Sequence, residues 1–111
     1  MPVVLEISPA DAKRRLSESN KTVLIDVREP EECAVAHVGT AEYIPMSLVP
    51  AALQRLEGMA EKGDLLVLCH HGVRSLQVVA WLRERGLENC YSVAGGIDRW
   101  SRELDTAIPR Y

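Results

Sequence analysis

The sequence predicts an α/β fold in which a mostly parallel sheet carries helices on both faces. Short apolar runs alternate with segments of helical spacing along the chain, the pattern of strand-helix-strand units. Two of the runs, TVLIDV (22–27) and LLVLC (65–69), are rich in aliphatic residues and read as buried strands. With 111 residues and 47% hydrophobic content, the chain can bury a core of ordinary size. Residues 1–111 are therefore expected to form one domain.

The elements follow in order. VVLEI (3–7) reads as a strand. Ser8, Pro9 and Asp11 then form a helix start, with a capping hydroxyl, proline at the first helical position and an acid in the first turn. After the second strand, EPEECAVAHV (29–38) has Pro30 near its beginning and acids in its first turn, and reads as a short helix running into a loop. Tyr43-Ile44-Pro45 reads as a very short strand. Residues 47–56 place apolar side chains at 48, 49, 52, 53 and 56, a helical face that Gly58 is expected to end. LLVLC follows. From Ser75 to Arg85, Leu76, Val79, Trp81 and Leu82 have helical spacing, and Gly86-Leu87 is a stop signal. Cys90 to Val93 make a last strand, and GGIDRWSREL opens a last helix.

Composition removes several function classes. Thirteen basic and 16 acidic side chains give a net charge of −3, which is no footprint for a nucleic-acid backbone. No stretch approaches the ~18 consecutive apolar residues of a membrane span, and the beginning of the chain has no secretory signature. Three cysteines, Cys33, Cys69 and Cys90, have no paired spacing, which argues against a disulfide framework and for a reducing compartment, by default the cytoplasm.

The chemistry concentrates in CHHGVRS (69–75). Cys69 falls at the carboxyl end of a buried strand, where open parallel sheets bind their ligands. His70 to Arg74 form a tight loop running into a helix N-terminus, so successive backbone N–H groups form an anion nest and the helix dipole adds positive charge. Gly72 lets the loop curl. A thiolate at the centre is stabilised by the amides, the dipole and Arg74. Two plainer readings compete, a buried packing cysteine and a metal ligand beside His70 and His71. Adjacent residues of a tight turn rarely converge on one tetrahedral ion, however, and no second Cys/His pair is near in sequence.

Four segments in order now show a resemblance covering nearly the whole chain. They are Asp26-Val27-Arg28 with Glu32, His37, Ala41 and Ile44-Pro45; the loop Cys69 to Ser75; Gly95-Gly96; and Trp100. The chain resembles the rhodanese family of sulfurtransferases, and its loop looks most like rhodanese domains that serve enzymes activating sulfur-carrier proteins. The resemblance implies a rhodanese-like fold with a five-stranded parallel sheet flanked by helices. It also implies that Cys69 carries a persulfide, that Arg74 shares the catalytic work, and that His70, His71, Gly72, Val73 and Ser75 surround the substrate. The implied donor is thiosulfate or a protein persulfide, the acceptor is a thiophile or a second protein, and no metal or organic cofactor takes part. The chain departs from the family pattern at Cys33, Ala36 and Thr40, where an aromatic residue, a glycine and a glycine are usual.

Some roles stay open. Cys33 and Cys90 read as packing residues, with a resolving thiol as the alternative for Cys33. Asp26 and Arg28 form a structural ion pair or touch substrate; His70 and His71 orient an anionic donor or set the charge of the rim. Gly95-Gly96 and Trp100 shape a turn and the core. A cysteine phosphatase or arsenate reductase uses a similar Cys–loop–Arg cradle with five intervening residues, where this chain has the four from His70 to Val73. A binding-only rhodanese-like module is usually marked by loss of the cysteine, which is present here.

Overall fold

A computed structural model describes residues 4–111. Five strands, β1 (Glu6–Ile7), β2 (Val23–Asp26), β3 (Glu42–Tyr43), β4 (Leu65–Leu68) and β5 (Cys90–Val93), form one sheet in the order β1-β5-β4-β2-β3. Every pairing is parallel. The central strand β4 is buried at all four positions, because its alternating side chains enter two separate cores. Leu65 and Val67 pack with Leu56, Val78, Val79 and Leu82 on one face. Leu66 and Leu68 pack with Ala12, Ile97 and Trp100 on the other. Helices α3 (Leu53–Ala60) and α4 (Val73–Glu84) therefore cover one face, and α1 (Pro9–Glu18) and α5 (Gly96–Glu103) the other.

The local signals act where the sequence placed them. Ser8 caps α1, its hydroxyl accepting from the Asp11 N–H at 3.1 Å. Helix α2 (Pro30–Val35) opens with a reciprocal capping box between Glu29 and Glu32. Helix α4 is closed just past its end at Glu84 by Gly86, with the paired bonds Gly86 N–H to the Arg83 carbonyl and Leu87 N–H to the Leu82 carbonyl.

Five boundaries move. Val3 lies outside the described residues, and β1 begins at Glu6. Strand β3 is Glu42–Tyr43, earlier than Tyr43-Ile44-Pro45. Residues 46–52 form two short 3₁₀ turns before α3, Pro50 having no N–H for a continuous α-helical ladder. Helix α3 then passes through Gly58 to Ala60, since an exposed glycine inside a packed helix costs only about 1 kcal/mol. Helix α4 begins at Val73, two residues before Ser75, so Arg74 and Ser75 belong to its first turn.

Candidate active site

Cys69 follows β4 directly, and its side chain is 1% exposed. Its Sγ accepts the Gly72 N–H at 3.1 Å and lies 3.3 Å from Ser75 Oγ. Gly72 caps α4 with φ 99°, which turns the chain back over the sulfur. The other wall of the loop is held by α5. Its first N–H groups have no partner inside the helix; Ile97 N–H donates to the Cys69 carbonyl at 2.8 Å and Asp98 N–H to the His70 carbonyl at 3.1 Å. With those carbonyls drawn toward α5, planar trans peptides direct the N–H groups of His70 and His71 away from it. Gly96 makes this approach feasible. A Cβ there would lie 2.3 Å from the His70 oxygen and 2.4 Å from the Cys69 oxygen.

Arg74 reaches from α4 to α2, where its guanidinium grips the Glu32 carboxylate at 2.5 and 2.8 Å. Hydrogen bonding to Glu32, together with that carboxylate's charge and against the opposing effect of burial, holds Arg74 protonated beyond an ordinary arginine. The contact with Arg74 in turn holds the Glu32 carboxyl down at about 2, against the opposing effect of burial. A carboxyl lowered in the folded state stabilises it fully above its ordinary value of 4.5 and loses that contribution as pH falls toward 2. Wild-type protein should therefore lose stability through this window, and Glu32→Gln should show a shallower acid loss in urea titrations across it. Equal acid slopes for the two proteins would contradict the linkage.

His70 lies half-buried in a three-ring stack, 3.8 Å from His71 and 3.9 Å from Tyr111 between centroids. Burial, then the neighbouring His71, lowers its pKa, so it is neutral at neutral pH. Its Nε2 is buried without a hydrogen-bond partner. His71 is exposed, and Val73 is 66% exposed at the loop rim.

The structure adds residues the sequence did not bring to the site. Tyr111 donates to Glu32 at 2.7 Å and accepts from Arg28 at 2.7 Å, and burial raises its pKa to about 12. Ser92, fully buried in β5, stands 2.7 Å from Ser75 Oγ. Asp98 comes within 4.8 Å of His70 and His71, counting ligand atoms. That trio is poorly built for a cation: Asp98 is occupied by Arg102 at 3.2 Å and Arg110 at 2.9 Å, and stacked imidazoles direct their lone pairs along neighbouring planes rather than to one point. Ser92 had a readable signal, a polar residue in an otherwise buried strand, which needs a partner. Tyr111 had none.

The open alternative for Asp26 and Arg28 resolves as an ion pair. Arg28 is fully buried, with Nη2 2.6 Å from Asp26 and 2.7 Å from the Ala36 carbonyl. Cys33 packs against this pair, 3.7 Å from both partners, and burial raises its thiol pKa. Cys90 is buried and donates to the Leu87 carbonyl at 3.1 Å. Trp100 is in the core.

Comparison with known proteins agrees with this geometry. A sulfurtransferase of Allochromatium vinosum is 31% identical over 100 residues, covering 90% of this chain and 91% of the relative. The adenylyltransferase and sulfurtransferase MOCS3-2 of Zea mays is 30% identical across the whole chain, which spans only 24% of that larger protein. The crystal structure of a rhodanese-related protein from Thermoplasma volcanium superimposes with a TM-score of 0.77 at 32% identity, covering 90% of this chain and 93% of that one. The family description of the rhodanese-like domain matches residues 8–103. A parallel sheet in this order, a cysteine loop at the end of its central strand and relatives of near-equal length lead to one assignment: the chain belongs to the family of rhodanese-like domains.

Proposed function

We propose that this chain transfers a sulfane sulfur through a persulfide on Cys69. The observation that carries the reading is the placement of Cys69 Sγ between the Gly72 N–H and the Ser75 hydroxyl at the start of α4. Both groups, with the helix dipole, stabilise negative charge on sulfur. In the first step the Cys69 thiolate attacks the outer sulfur of thiosulfate, or of a protein persulfide; the S–S bond of the donor breaks and sulfite, or a thiolate, leaves with the electron pair. In the second, cyanide or an acceptor thiolate attacks the terminal sulfur, and the Cys69 thiolate is released. No proton or external electron is needed. Arg74, held over the rim by Glu32, stabilises the anionic donor and the terminal sulfur electrostatically. His70, His71 and Val73 form the mouth that the substrate meets.

The four-residue spacing between Cys69 and Arg74 supports a ring sized for a single sulfur rather than a phosphate. A relative combining sulfurtransferase with adenylyltransferase activity supports a protein as sulfur donor or acceptor. The three cysteines are free, in keeping with work in a reducing compartment, the cytoplasm; among the described residues no helix is long and apolar enough to cross a membrane.

Mass spectrometry tests the reading. Incubation with thiosulfate should add one sulfur to the peptide containing Cys69, and cyanide should remove it as thiocyanate. A chain that stays unmodified with thiosulfate and with a protein persulfide would overturn the proposal.

A further inference from the structure

Ser75 is an unusual neighbour for a reactive sulfur because of where it stands. A serine within a helix ordinarily turns its hydroxyl to the carbonyl four residues earlier, here His71. Instead, Ser75 Oγ lies between two other atoms, Cys69 Sγ at 3.3 Å and Ser92 Oγ at 2.7 Å. All three side chains are buried, Ser75 and Ser92 completely. Ser92 Oγ has no other hydrogen-bond partner among the described residues.

That last fact fixes the direction of the chain. If Ser75 donated to Ser92, the Ser92 proton would be buried without an acceptor, a costly arrangement. If Ser92 donates to Ser75, the Ser75 proton falls on sulfur, and every hydroxyl proton is used. We infer that Ser92 is a positioning residue for the reaction: its hydroxyl donates to Ser75 Oγ and keeps the Ser75 proton directed at Cys69 Sγ.

Nothing in the loop motif identifies Ser92, which lies on a different strand. Its place is nevertheless required by the sheet. Parallel pairing sets β5 beside β4 and aligns Ser92 with Val67, two residues before Cys69. Side chains two apart on a strand share a face, so Ser92 falls on the face toward which Val67 and Cys69 project.

The inference rests on the persulfide reading for its chemical consequence. Once the persulfide forms, Cys69 Sγ is the inner sulfur and becomes the leaving thiolate when an acceptor attacks. A donor on Sγ stabilises that leaving group and speeds discharge. The same donor favours the free thiolate before loading. Ser92 therefore acts in both halves of the cycle without touching donor or acceptor.

The test uses two readouts on Ser92→Ala. The pH midpoint for alkylation of Cys69 by iodoacetamide should rise, with a roughly threefold to tenfold lower rate below the midpoint, the range set by loss of one hydrogen bond. Discharge of a preloaded persulfide by cyanide, followed in a single turnover, should slow by a similar factor. Ser92→Thr, which keeps the hydroxyl, should restore both, while Ser92→Val, isosteric with the threonine variant, should not; this pair also serves if the alanine variant is poorly folded. On a Ser75→Ala background, removal of the Ser92 hydroxyl should have no further effect. An unchanged alkylation profile in a folded Ser92→Ala protein, or an equal effect with Ser75 absent, would overturn the assignment. Alkylation does not depend on sulfur transfer, so a wild-type protein that never forms a persulfide would defeat the functional reading and leave the positioning role decided by its own measurement.

Discussion

Cys69→Ser is expected to reduce thiosulfate:cyanide sulfur transfer to the uncatalysed background while the protein remains folded. The hydroxyl can occupy the same position and take up hydrogen bonds from Gly72 and Ser75, which lie 3.1 and 3.3 Å from the sulfur. It cannot accept and return a sulfane sulfur, because no S–S bond can form and the free alcohol is a poor nucleophile at neutral pH. The substitution exchanges one small buried group for another, so the thermal midpoint should change little. Cys33→Ser provides the comparison, since Cys33 packs against the Asp26–Arg28 pair and should retain turnover. Substantial transfer by the Cys69→Ser protein would remove Cys69 from the chemistry.

The largest structural effect is expected at Gly96. Alanine there would bring its Cβ within 2.3 to 2.5 Å of backbone atoms of Cys69 and His70, at φ 60°. Neither backbone can yield without breaking the bonds from Ile97 and Asp98 that hold the loop carbonyls. Left-handed strain of about 1 kcal/mol and the loss of two buried hydrogen bonds, each about 1 kcal/mol, then combine with displacement of the reactive loop. Gly96→Ala should lower stability by several kcal/mol, of order 3, and transfer should fall with it. Gly58→Ala supplies the opposite case. Gly58 sits exposed within α3, and a Cβ there meets nothing within 4 Å, so alanine should stabilise the protein by about 0.5–1 kcal/mol. Urea denaturation of both variants reads the sign directly; a tolerated Gly96→Ala would show that α5 does not pin the loop.

The sheet was legible because its signals are local. β4 is apolar on both faces, and the cap at Ser8 and the stop at Gly86 fall within a few residues of what they control. The cysteine loop was legible for the same reason, being seven consecutive residues. Helix and strand limits moved where local propensity gave way to packing, as at Gly58, or where proline removed a donor, as at Pro50. The surroundings of the sulfur were less legible, since their partners meet only through the tertiary structure. Arg74 reads from sequence as a free cation, yet it is paired with a glutamate 42 residues away. Tyr111 reaches the same glutamate across 79 positions, and no local pattern announces such a contact. Ser92 was detectable as a buried polar side chain, but its partner required the register of β5 on β4.

The placement of β4 between β2 and β5 has a consequence for the order of events during synthesis. Cys69 leaves the ribosome well before Ser92 and before the helix that holds its carbonyls. Parallel strands pair only after their crossover is made, and such long-range contacts form late. For that interval the loop lacks Ser92 behind Ser75 and the α5 N–H groups on its carbonyls. Docking of β5 and α5 therefore both buries Cys69 and completes the set of contacts around its loop.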